Sequence, residues 1–149
     1  KQIFHAYYFF KHTHMQKELP VSPPRRNQLP IIQNLVAVYK LWRDVMPHLP
    51  KSARYTLGEK IDVCLLETAE FLFSASYVPT SERFLFVRRA GAKLDLAKFF
   101  LQIAWEIKAL DTKKYAMLSE KLDEIGRMLG GWIKQLLQKE IPPKGGIIT

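Results

Sequence analysis

The stretch TKKYAMLSEKLDEIGRMLGGWIKQLL, residues 112–137, carries the longest unbroken helical pattern in the chain. Tyr115, Leu118, Leu122, Ile125, Leu129, Trp132 and Leu136 recur at intervals of three and four without a break. That spacing lays one apolar seam along a helix and calls for neighbours running nearly parallel or antiparallel to it. Asp111 or Thr112 is placed to cap its start, since either side chain can accept a hydrogen bond from a free N–H of the first turn. Gly126 and Gly130 lie four apart on one face, and Gly131 points elsewhere. Each costs a helix interior about 1 kcal/mol against alanine. The expected compensation is close approach of a neighbouring backbone or bulky side chain, with Trp132 nearby as the large partner.

Working backward, three more helices of the same kind appear. Pro30 suits a first-turn position, and Ile31, Leu35, Val38 and Trp42 keep helical spacing until Pro47. PHLPKSARY (47–55) reads as a proline-punctuated loop, and Thr56 with Glu59 as a capping box that opens the second helix. Its core stripe is Leu57, Ile61, Cys64, Leu65, Phe71 or Leu72, and Ala75, and Pro79 stops it. Thr80 or Ser81 is the expected cap of the third, in which Val87, Ala90, Leu94, Ala97, Leu101 and Ala104 share one face. No strand-like alternation competes. Four helices joined by short connections predict an all-α, up-down-up-down four-helix bundle over residues 29–139. Residues 1–28, from the aromatic KQIFHAYYFFKHTH to the proline-rich linker, and the tail 140–149 are expected to lie outside it.

Two helices carry more apolar surface than one bundle needs. Leu96, Phe100, Ile103, Ile107 and Leu110 form a second stripe on the third helix, and Leu66, Ala69 and Phe73 fall outside the main face of the second. Soluble monomers rarely leave such surface uncovered, so association of copies is expected.

The chain also carries 23 Lys and Arg against 14 Asp and Glu, a formal charge of +9 that favours a polyanionic partner. Catalysis finds little support: the chain has no glycine-rich phosphate loop, no zinc-spaced Cys/His set and no nucleophile elbow, so neither cofactor nor metal is expected. Cys64, the single cysteine, falls on a core stripe, where an inert buried thiol is expected. No apolar run is long enough to span a bilayer, and a reducing, cytoplasmic setting with no membrane contact is the expectation.

Three ordered stretches, LPIIQ (29–33), YTLGEKI (55–61) and DEIGRMLGGWIKQ (123–135), resemble the accessory variability determinant proteins of diversity-generating retroelements. These belong to a wider four-helix-bundle family that includes proteins encoded in ribosomal RNA intervening sequences. The resemblance spans roughly residues 29–137. It implies a symmetric pentameric barrel with a basic surface that associates with the element's reverse transcriptase and its template RNA, or an RNA/DNA hybrid, during error-prone cDNA synthesis. The alternative implied is an interaction module of the intervening-sequence type, with no reverse transcriptase partner.

Among the cations, Arg89 and Lys93 stand one turn apart on the arc that later carries Leu96, Phe100 and Ile107, so positive charge there replaces apolar contact. With Arg83, Arg88 and Lys98 they are the candidate phosphate contacts. Lys51 and Arg54, in the first interhelical connection, and Arg25 and Arg26, in the linker, are weaker ones.

Overall fold

The computed structural model describes residues 29–140; the expected irregular segment 1–28 and the tail beyond residue 140 lie outside the described residues. Four long helices run α1 (Leu29–Val45), α2 (Glu59–Tyr77), α3 (Thr80–Glu106) and α4 (Thr112–Glu140). Each packs on its neighbours in sequence, and α4 closes the ring against α1, which is the up-down-up-down bundle. Among the described residues there is no strand. Glu140, expected at the head of the tail, is the last residue of α4.

The core is built from the seams that the sequence marks out. Leu35, Val38 and Trp42 from α1, Ile61, Leu65 and Leu72 from α2, Val87, Leu94 and Leu101 from α3, and Leu118, Leu122 and Ile125 from α4 are all at most 2% exposed. Burying each such side chain fully contributes about 1.5–3 kcal/mol. On α3, Ala90, Ala97 and Ala104 alternate with those larger residues and are fully buried. The small side chains let the neighbouring helices come close.

The helix starts differ from expectation at two of three places. The second helical segment begins at Lys51–Ala53, runs through a π turn at Arg54–Gly58, and continues into α2. The Pro50 carbonyl accepts the backbone N–H groups of Ala53 and Arg54, each at 2.9 Å. Thr56 donates its hydroxyl backward to the carbonyls of Ser52 (3.2 Å) and Ala53 (3.3 Å), so it sits inside a turn and there is no capping box. A proline in extended conformation (φ −52°, ψ 142°) starts the helix before Thr56 is reached. Thr80 likewise is the first residue of α3, preceded by extended Pro79, and no side chain caps it. The third expectation holds: Asp111 Oδ1 accepts the Lys114 backbone N–H at 2.9 Å. That hydrogen bond holds the Asp111 carboxyl below its ordinary range.

The glycines of α4 do not meet the close neighbour expected of them. A Cβ at Gly126 would rest 3.8 Å from Leu94 Cδ2, ordinary contact, and at Gly130 or Gly131 it would meet nothing within 4 Å. Trp132 packs against the core instead. Because Gly131 is exposed, helical and unobstructed, Gly131→Ala is expected to stabilise the isolated protomer by about 1 kcal/mol, read from urea unfolding. Destabilisation by that substitution would mean that Gly131 meets something the single chain does not contain.

Candidate nucleic-acid interface

The outward surfaces of α2 and α3 form one side of the bundle, and much of it is apolar. On α2, Val63, Leu66, Phe73 and Tyr77 are 42–55% exposed and follow three-four spacing, interrupted only by Glu70. Phe73 and Tyr77 pack ring on ring at 4.7 Å. On α3, Leu85 and Phe99 are about half exposed and Leu96 somewhat less, with Phe99 against Phe100 at 6.0 Å. Thus Leu66, Phe73, Leu96 and Ile107 of the expected surplus do face out, Ala69, Phe100 and Ile103 are half-buried, and Leu110 is buried. Phe99, Leu85, Val63 and Tyr77 were not foreseen from the sequence. The signal was there, in Leu85, Ala92 and Phe99 repeating every seven residues opposite the core seam.

The seven candidate cations of the described chain divide by environment. Arg88 and Arg89 are exposed on α3 and make no ion pair among the described residues. Arg89 lies in the apolar stripe, one turn before Lys93. Lys93 is held by Glu67 of α2 at 2.7 Å, and Lys98 by Asp123 of α4 at 2.5 Å. These bridges fix the outer register of α3 against both neighbours and leave each ammonium partly neutralised. Being partly exposed, each contributes about 1 kcal/mol or less to stability.

Arg83 is placed quite differently from the expectation. It is 6% exposed, with Nε donating to the Ala75 carbonyl at 2.8 Å and Nη2 to the Val78 carbonyl at 3.2 Å. The last carbonyls of a helix lack intrahelical donors, and a guanidinium supplies them. Arg83 therefore locks the α2–α3 turn and does not face a polyanion. Arg54 does the same at the other end of α2, its Nη2 donating to the carbonyls of Pro47 (2.8 Å) and Leu49 (3.0 Å). Lys51 is exposed beside it and unpaired among the described residues.

The charge on the shared side is unequal. α2 carries Glu59, Asp62, Glu67 and Glu70 against Lys60, with Asp62 facing Arg43 of α1, whereas α3 carries Arg83, Arg88, Arg89, Lys93 and Lys98 against Glu82, Asp95 and Glu106, with Lys98 facing Asp123 of α4.

Cys64 is buried and its thiol is pushed up by that burial. No group of three or more His, Cys, Asp or Glu among the described residues could hold a metal ion. No helix there is long and apolar enough to cross a membrane. The chain matches the family described as bAvd-like over residues 30–136, which spans all four helices up to the last turn of α4. No curated protein matches it.

Proposed function

The chain belongs to the bAvd-like family, and on that premise we propose that it is a non-enzymatic accessory subunit of a diversity-generating retroelement. In this reading it is a basic oligomeric scaffold for the element's reverse transcriptase and its structured template RNA, supporting mutagenic cDNA synthesis. Copies associate through the α2–α3 side, five to a ring as the resemblance implies. The observation that carries the reading is the apolar stripe itself, left open by the described residues and bordered by Arg88 and Arg89, which make no ion pair among them. Closing the stripe between copies repeats the two arginines around the symmetry axis. Each arginine that meets a phosphate releases a counterion, so affinity is multiplied by the assembly and is sensitive to salt. Such contacts read charge and shape rather than sequence, which leaves specificity to RNA structure and to the polymerase.

The test is a salt titration of binding to structured RNA. Arg88→Ala with Arg89→Ala should weaken binding and reduce the slope of log K against log salt by about 0.7–0.9 for every phosphate that is no longer neutralised, with the helical spectrum unchanged. An unaltered slope would remove α3 from the interface. The second reading is an interaction module of the intervening-sequence type, without a reverse transcriptase. It draws support from the four candidate cations, Arg54, Arg83, Lys93 and Lys98, that the chain engages internally. An adjacent reverse transcriptase gene with a template and variable repeat pair supports the first reading; a position inside a ribosomal RNA gene supports the second.

A further inference from the structure

The up-down-up-down order brings the α1–α2 and α3–α4 connections to one end of the bundle, and both are irregular. The first contains the π turn at Arg54–Gly58, which packs against α3. π turns inside helices are rare and costly enough that they gather at functional places. The second ends α3 with the Ala109 N–H on the Ala104 carbonyl and the Lys108 N–H on the Trp105 carbonyl, each at 2.9 Å. This is a Schellman closure whose left-handed residue, normally glycine, is Lys108 at φ 61°. A lysine occupies a backbone conformation that disfavours it, and its side chain is exposed.

Both connections also display aromatic rings that are held in place. Tyr55 is 57% exposed, with the Arg54 guanidinium 6.0 Å from its ring centre, and that guanidinium is itself pinned to two carbonyls. An open depression lies beside it, lined by Tyr55, Thr56, Leu57, Glu59, Lys60 and Val63. Trp105 is 37% exposed and stacks on Tyr115 at 4.9 Å and 8°. Its indole N–H donates to Thr112 Oγ1 at 3.1 Å, so the surface that it leaves to solvent is ring rather than polar edge. Lys51, Lys108 and Lys113 are exposed at this same end of the bundle and make no ion pair among the described residues. Of the neighbouring acids, Glu106 accepts from Gln102 and Asp111 caps α4, while Glu59, beside Tyr55, is exposed.

We propose that this end of the bundle binds single-stranded RNA, with unpaired bases stacked on Trp105 and Tyr55 and phosphates met by Lys51, Lys108 and Lys113. Exposed ring faces with cations at the same end of a bundle accept bases of any identity, provided that the bases are not already stacked in a duplex. The proposal rests on the RNA-binding reading above but uses none of the α3 arginines. It gives the protein a second contact, for the unpaired part of a template whose folded part lies along the flank.

The test uses the full chain with two labelled probes, a short oligouridylate and a hairpin duplex, followed by anisotropy. Trp105→Ala should lower oligouridylate affinity about ten-fold and leave duplex binding unchanged. Trp105→Phe should keep most of the affinity although it loses the bond to Thr112, an outcome that a merely structural tryptophan would not give. Tyr55→Ala, at a more exposed site, should repeat the loss if Trp105→Ala fails to fold. Unchanged oligouridylate affinity in the folded variants overturns the proposal and leaves the α3 reading intact, as does a chain that binds the duplex but not the oligouridylate. A chain that binds neither probe overturns both. Variants that weaken association with a reverse transcriptase but not with RNA make this end a protein-docking surface and also overturn it.

Discussion

Trp42→Ala is expected to cost about 3–5 kcal/mol of unfolding free energy, the largest single-residue effect in the bundle. Trp42 is fully buried in the α1 seam, and its removal opens a cavity that four rigid helices can only partly close. Domains of this size are stable by only about 5–15 kcal/mol, so the variant should lose a large share of the folded population on mild heating. Trp42→Phe should cost much less. The buried indole N–H of Trp42 has no acceptor among the described residues, and phenylalanine removes that orphan donor, whose burial costs about 1–3 kcal/mol, while filling most of the space. Urea unfolding followed by circular dichroism reads both. An alanine variant within about 1 kcal/mol of the parent would mean that α1 is not clamped into the core as described.

Leu66→Glu combined with Phe99→Glu should give a folded protomer that no longer associates. Both side chains are exposed, 42% and 55%, so neither substitution disturbs the core. Each places a carboxylate on the apolar stripe where a second copy has to exclude water, and an unpaired charge there costs several kcal/mol. With assembly abolished, the repeated arginines act singly, and affinity for structured RNA should fall about a hundred-fold or more. Sedimentation reads the first effect and anisotropy the second. A double variant that keeps its assembly would move the interface away from the α2–α3 side.

What the sequence could show is governed by distance along the chain. The seam of α4 was legible because seven residues of one helix share a face whatever packs on it, and Leu118, Leu122, Ile125, Leu129 and Leu136 are all buried. Asp111 was legible as a cap because its partner, the Lys114 N–H, is three residues away. Thr56 misled because its capping pattern is real, but Pro50 starts the helix six residues earlier and changes what the threonine can reach. Arg83 was illegible as a structural residue because the carbonyls that it serves belong to Ala75 and Val78, and only the α2–α3 turn brings them to it. Lys93 and Lys98 depend in the same way on the register of α3 against Glu67 and Asp123. A charged residue in a sequence announces charge; whether that charge reaches solvent is decided across helices.

The stripe on α2 and α3 is the premise from which scaffold, repeated arginines and salt dependence all follow. The most direct measurement is the mass of the purified chain in solution by light scattering at micromolar concentration. The account predicts a discrete multiple of the 17.4 kDa protomer, falling to a single protomer when Leu66 and Phe99 are replaced by glutamate. A parent chain that scatters as one 17.4 kDa particle at that concentration contradicts it.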